Sequence, residues 1–222
     1  AGADVVLVDR DDPTETREAI ASLGRRVMNI NMDLLTVSIA DLNTIVGKIV
    51  SEWGRVDILV NNAGIIRRSP ALEFSEQDWD DVIQINQKAV FFLSQAVARI
   101  MKRQGAGKII NIASMLSYQG GILVPSYTAA KSAIAGLTRA MANEWANLGI
   151  NVNAIAPGYM ATDNTAPLRA DADRSASILA RIPAGRWGEA QDLKGIAVFL
   201  ASDASAYVHG AIIPVDGAWL TR

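Results

Sequence analysis

Ser114, Tyr127 and Lys131 are the residues of this 222-residue chain whose types and spacing could do chemistry together. Tyr127 and Lys131 stand four apart in "SYTAAK", so on a helix they share a face. A phenol ordinarily titrates near pH 10, and a neighbouring ammonium favours the phenolate and lowers that value. A tyrosine tuned in this way can accept or donate a proton near neutrality. Ser114, at the end of the apolar run "GKIINIAS", could hydrogen-bond the same substrate oxygen. The arrangement suits interconversion of an alcohol and a carbonyl. Tyr and Lys at this spacing are common on helices, so the reading depends on what else the chain carries.

The elements needed to hold these residues are legible as alternating strands and helices. Apolar runs at 4–9, 25–33, 56–64, 107–114, 150–158 and 211–217 read as strands. Between them, helical patterns cover Pro13 to about Leu23, Thr36 to Trp53, 75–103 with Ser75 as cap, 126–148 closed by Gly149, and Glu189 to about Ser202. Residues 159–188 read as irregular with short helices. Apolar strands alternating with helices predict an α/β fold, a doubly wound parallel sheet covered on both faces, in a single domain over 1–222. Ligands of such sheets bind beyond the carboxyl ends of the strands. Asp9, Asp33, Asn61–Gly64, Ser114 and Pro157–Gly158 all fall there.

Composition narrows the function. Net charge is −2 and the pI near 5.5, so no basic excess is available for nucleic acid. The absence of cysteine excludes disulfides and thiolate chemistry and fits a cytoplasmic protein. With one histidine, His209, neither a histidine metal cluster nor a Ser-His-Asp triad is expected, and His209 reads as a turn residue near the C-terminus. No apolar run reaches the ~18 residues of a membrane span.

"NNAG" at 61–64, Asn86 in "IQIN", Ser114, Tyr127, Lys131 and "PG" at 157–158 together resemble the short-chain dehydrogenase/reductase family, in order and in spacing, over the whole chain. The resemblance implies a Rossmann-like fold and a nicotinamide cofactor. It implies Tyr127 as acid/base, Lys131 lowering its pKa and holding the nicotinamide ribose, Ser114 orienting the substrate oxygen, and Asn86 in a proton relay toward Lys131. It further implies cofactor contacts from Asp33, Leu34, Asn61, Ala63, Gly64, Pro157, Gly158, Met160 and Thr162. Asp9, as an acid at a strand end, favours NAD over NADP, although Arg10 beside it could pair with a 2′-phosphate.

Longer stretches, such as "NNAGIIRRSPALEFSEQDWDDV" and "IASMLSYQGGILVPSYTAAKS", resemble the sugar-acid dehydrogenases of that family and imply a deoxy- or keto-sugar acid of pectin or uronate breakdown. A carboxylate substrate suits arginine, and Arg67, Arg68, Arg169 and Arg174 are candidates, with Gln119 and Tyr159 for sugar hydroxyls. The family also implies a homotetramer paired through its long helices. The rivals are a gluconate 5-dehydrogenase or 3-oxoacyl-carrier-protein reductase of the same fold, and a scaffold without turnover. The last arises because the family's glycine-rich turn, which would precede Ala1, occurs nowhere in the chain: "GAGK" at 105–108 stands before a strand. The expectation is a chain lacking the family's first strand and helix, with its sheet split where that strand would lie.

Overall fold

The structure is a computed structural model that describes residues 1–221. Its strands are β1 (Val5–Asp9), β2 (Val27–Asn31), β3 (Ile58–Asn61), β4 (Gly107–Ile112), β5 (Ile150–Pro157) and β6 (Ile212–Val215). The helices between them are α1 (Thr14–Ser22), α2 (Ile39–Trp53), α3 (Glu76–Ile83), α4 (Val90–Gln104), α5 (Pro125–Trp145), α6 (Ala166–Ala170), α7 (Ala172–Leu179) and α8 (Lys194–Ala201). All pairings are parallel: β1 with β2, and separately β3-β4-β5-β6. The family-derived expectation of a split sheet is therefore what is seen. Among the described residues β1 and β3 have no ladder between them, and Val60 on β3 is 49% exposed.

The two sheets are joined by packing instead. One apolar cluster takes Val6, Val8 and Met28 from the small sheet, Leu42, Ile45 and Val46 from α2, Val97 and Met101 from α4, and Ile109, Ile150 and Val152 from β4 and β5. The larger sheet shows the period-2 alternation of a strand buried on both faces. Ala154 and Ala156 pack with Ile134 of α5, whereas Ile110 and Ile155 pack with Leu200 of α8. The alanines let α5, which carries Tyr127 and Lys131, lie close against the sheet.

Local chemistry sets the boundaries, and several differ from the sequence reading. The helix expected from Thr36 begins at Ile39 because the Ser38 hydroxyl accepts from the Asp41 amide while the Asp41 carboxylate accepts from the Ser38 amide. The helix expected at 75–103 does start after Ser75, whose hydroxyl accepts from the Asp78 amide, but it is interrupted by six residues of π-helix, Gln84–Ala89. The long helix ends at Trp145, and a 3₁₀ turn carries the chain to Gly149. There φ is 78°, and a β-carbon would stand against the Gly105 carbonyl, so only glycine fits. The last helix is shorter than expected, beginning at Lys194 after a 3₁₀ turn over Ala190–Leu193.

His209 is not the plain turn residue expected. Its Nε2 lies 3.1 Å from the Asn151 amide nitrogen, and its Nδ1 is buried without a hydrogen-bond partner. Asn151 and Asn153 donate to carbonyls of the loop before β6, drawing His209 inward. No helix among the described residues is long and apolar enough to cross a membrane.

Candidate active site

The carboxyl ends of β3, β4 and β5 and the first turns of α5 bring the expected residues together. Ser114 follows β4; its hydroxyl accepts from the Leu116 amide at 3.1 Å and lies within hydrogen-bonding reach of the Tyr127 phenol. Tyr127 sits in the first turn of α5, which Pro125 opens. One turn on, Lys131 is 4% exposed; its Nζ donates to the Ile112 carbonyl at 2.6 Å and stands 5.5 Å from the Tyr127 ring centroid.

Electrostatics here depart from the simple expectation that Lys131 lowers the Tyr127 pKa. Burial pushes the phenol up from its ordinary value, opposed by the Ser114 hydrogen bond and by the nearby charge of Arg68. Burial also lowers Lys131 to about 8. The ammonium is turned toward the Ile112 carbonyl rather than bonded to the phenol. Burial is thus the largest influence on Tyr127, with Ser114 and Arg68 working against it.

Asn86 lies in the π stretch. Its carboxamide closes a two-way clamp on one residue: Oδ1 accepts from the Ile65 amide at 3.0 Å and Nδ2 donates to the Ile65 carbonyl at 2.7 Å. A π turn breaks the regular i→i+4 ladder, and such turns frequently mark functional sites. Gly64 fits between Asn86 and Lys131. A β-carbon on it would be 2.7 Å from Asn86 Oδ1 and 3.8 Å from Lys131 Nζ.

Other expected residues are placed differently. Asn61 is buried and its amide faces inward, donating to Ser94 at 2.9 Å and to Asn111 at 2.8 Å, while Asn111 donates to Thr138. Asn61 thus ties β3 to β4 and α4, and its side chain is not presented beyond the strand ends. The side chain of Leu34 packs into the apolar cluster, and its carbonyl accepts from Gln84. Arg67 is turned to α3, 3.2 Å from Asp78 and 3.5 Å from Asp81, so its charge is already matched. Its neighbour Arg68 is the arginine near the phenol; it also donates to the Asn164 carbonyl at 2.8 Å. Arg169 is spent on the Thr162 carbonyl. Ala63 and Gly64 are exposed beside β3.

Asp9 and Asp33 close β1 and the segment after β2. Each accepts an amide two residues on, from Asp11 at 3.1 Å and from Leu35 at 2.9 Å. Arg10 Nε lies 3.5 Å from Asp11 on an exposed surface. Beyond β5, Met160 is buried and bridges to Gly188, while Thr162 opens a short 3₁₀ turn. Tyr159 packs edge-on against Trp187 and Trp219. The Gln119 carboxamide oxygen accepts from the Trp219 indole at 3.1 Å. The sequence reading passed over Trp219 and the π stretch. "GAWL" offered only an apolar tail, and no periodicity signals a π turn.

Residues 1–219 match the family model described as enoyl-(acyl carrier protein) reductase, a branch of the short-chain alcohol dehydrogenases. The chain is 62% identical over its whole length to 2-dehydro-3-deoxy-D-gluconate 5-dehydrogenase of Dickeya dadantii, covering 87% of that protein. The protein of the same name from Escherichia coli K12 is 60% identical at equal coverage. The chain belongs to the short-chain dehydrogenase/reductase family. Among solved structures, a gluconate 5-dehydrogenase of Burkholderia cenocepacia in complex with NADP and tartrate superposes with a TM-score of 0.94 at 38% identity, over 100% of this chain and 87% of that one. A candidate 2-deoxy-D-gluconate 3-dehydrogenase of Agrobacterium tumefaciens with bound NADP gives 0.91 at 55% identity, again over 100% and 87%. As a member of this family the chain is a nicotinamide-dependent oxidoreductase.

The residues present fit such a cofactor. Carboxylate acceptors stand at Asp9 and Asp33, an exposed Ala63–Gly64 turn beside β3, and a buried cation at Lys131. The cofactor, when bound, supplies the hydride acceptor or donor. Around that position the chain sets Ser114 beside Tyr127 and the β-carbon-free Gly64 against Asn86 and Lys131.

Proposed function

We propose that the protein interconverts a secondary alcohol and a ketone on a deoxy- or keto-sugar acid, of the 2-dehydro-3-deoxy-D-gluconate type. The observation that carries this is Arg68. Its charge reaches the Tyr127 phenol and opposes the effect of burial there, while Arg67 is matched by two aspartates. Arg68 uses part of its guanidinium on the Asn164 carbonyl, leaving N–H groups for a carboxylate, which a planar fork binds better than a point charge does. In this reading Tyr127 moves the proton at the reacting oxygen, Ser114 holds that oxygen, Lys131 keeps the surroundings cationic, and Arg68 binds the carboxylate. Asn86 holds the Ile65 backbone and keeps the Gly64 turn open. The names of the Dickeya and Escherichia relatives support the substrate class.

Cofactor choice rests on Asp9. An acid beside the adenine ribose accepts from its hydroxyls and repels a 2′-phosphate, which favours NAD. The NADP found in the structural neighbours favours the second reading, in which Arg10 turns from Asp11 to the phosphate. For assembly, a homotetramer fits the outer face of α4 and α5. A cleft of about 310 Å³ there is lined by Phe91, Leu137, Met141 and Trp145, a surface suited to the same helices of another copy. A cytoplasmic site of action, in uronate breakdown, follows from the substrate class.

The test is cofactor-linked turnover of the sugar acid against its carboxylate-free polyol. Arg68→Ala is expected to raise KM for the acid by about 10- to 100-fold, the range for a charged hydrogen bond, and to leave KM for the polyol unchanged, while any change in kcat through the Tyr127 phenol is common to both. Tyr127→Phe is expected to cut kcat by about 10²- to 10⁴-fold with no loss of fold. Equal effects of Arg68→Ala on KM for acid and polyol would overturn the carboxylate assignment.

A further inference from the structure

Trp219 closes the C-terminal end of the chain against the active-site side, and every side of it is held. The indole is 3% exposed and packs with Met115, Leu116, Val124, Ile178 and Ile182 in the cluster that also takes in Tyr127. Arg181 lies over the ring at 4.0 Å, and the Tyr159 ring meets it edge-on at 4.8 Å. Its backbone is fixed as well. The Asp216 carboxylate accepts from the Ala218 amide at 2.9 Å and from the Leu220 amide at 3.0 Å, and Ala218 is held at a φ of 69°. A ring so confined has one polar atom, an N–H that can only donate.

That N–H meets the side chain of Gln119, which lies on the turn opening at Ser114; the Gln119 backbone N–H donates to the Met115 carbonyl at 3.2 Å. An indole that only donates decides which end of the carboxamide faces it. The oxygen must point at Trp219, so the nitrogen points the other way, and no group among the described residues accepts from it. A glutamine free to flip would offer a substrate either end.

We propose that Trp219 is a positioning residue for substrate: it fixes the Gln119 carboxamide so that its NH₂ is presented, as a donor only, to an oxygen of the bound sugar acid. The proposal rests on the sugar-acid reading for the identity of the substrate, though not for the coupling between the two residues. The carboxamide five residues after Ser114 would thereby select an acceptor: a hydroxyl, carbonyl or carboxylate oxygen.

A double-mutant cycle on the full chain tests this. Trp219→Phe keeps the ring against Tyr159 and Arg181 and deletes the N–H. It is expected to raise KM about three- to tenfold, as loss of one hydrogen bond's orientation does, with kcat within about twofold. In a Gln119→Ala background the same change is expected to add nothing. Gln119→Glu keeps an acceptor for the indole but offers substrate no donor. It is expected to raise KM at least as far as Gln119→Ala, while the Trp219 indole proton resonance stays near its wild-type position in Gln119→Glu and moves in Gln119→Ala. Additive effects of Trp219→Phe and Gln119→Ala, or a wild-type KM for Gln119→Glu, would overturn the proposal. The glutamine variants and the resonance decide it even where Trp219→Phe folds poorly. If the chain turned over another secondary alcohol instead, the functional reading would fall, and the same cycle read on that substrate's KM would still decide the coupling.

Discussion

Gly64 and Asn86 are in contact so close that no larger residue can stand at position 64: a β-carbon there would be 2.7 Å from the Asn86 amide oxygen. Asn86 cannot retreat, because both ends of its carboxamide are bonded to the Ile65 backbone. Gly64→Ala is therefore expected to destabilise the fold by about 1–3 kcal/mol, the range for overpacking, and to lower kcat by displacing the turn next to Lys131. Thermal unfolding and steady-state rates of the variant check this. An unchanged Tm with unchanged kcat would mean that the loop yields freely.

Asn61 should behave as a structural residue. Its amide feeds both Ser94 and the Asn111 carboxamide, inside a chain that continues to Thr138. Asn61→Ala leaves those buried groups short of a partner and is expected to cost about 1–3 kcal/mol. Cofactor KM in the surviving folded fraction should change by less than about threefold, since the side chain is not presented to a ligand. Denaturant midpoints and cofactor titration of the same preparation separate the two roles.

Lys131 makes stability rise with pH in a defined window. Its folded value is lowered to about 8 from an ordinary 10.5, so the cost of burying the ammonium is fully present below about pH 8, where both states hold the proton. Between 8 and 10.5 the unfolded chain binds more protons than the folded one, and the contribution of this group improves as pH rises. Relative to Lys131→Met, which lacks the titration, wild type is expected to gain roughly 2–3 kcal/mol across that window. Urea unfolding of both proteins at the two ends of the range measures the difference. A gap independent of pH would contradict the depressed value.

Asp9 should govern the choice between the two dinucleotides. Asp9→Ser removes the charge that opposes a 2′-phosphate and leaves Arg10 in place, so kcat/KM is expected to shift toward NADP by about tenfold or more. Arg10→Ala should leave NAD kinetics within about twofold. The ratio of kcat/KM for the two cofactors, measured at fixed ionic strength, is the readout.

Much of this was legible in the sequence because it follows from periodicity and caps. The alternation of strands and helices, Ser75 as a cap, Gly149 as a stop and the Ser114–Tyr127–Lys131 spacing all survive in the structure. Placement of side chains with more than one available partner was not legible. Arg67 and Arg68 are indistinguishable as letters, and only the position of Asp78 and Asp81 on α3 separates the matched one from the one whose charge acts on the phenol. The sign of the Tyr127 shift is illegible in the sequence for a related reason. Spacing shows that Lys131 is near, but not that burial dominates or that its ammonium is turned to a carbonyl. Local sequence also gives no sign of the Gln119 bond to Trp219, a residue 100 positions later.

The π stretch at Gln84–Ala89 also acts as a phase setting between two halves of one rod. Upstream, α3 must aim Asp78 and Asp81 at Arg67; downstream, α4 must aim Val97 and Met101 into the core. Each residue on a helix turns the axis by about 100°, so removing one anywhere in the stretch would swing one half out of register with the other. The segment can thus tolerate changes of letter more readily than changes of count, and its length is part of what specifies the site.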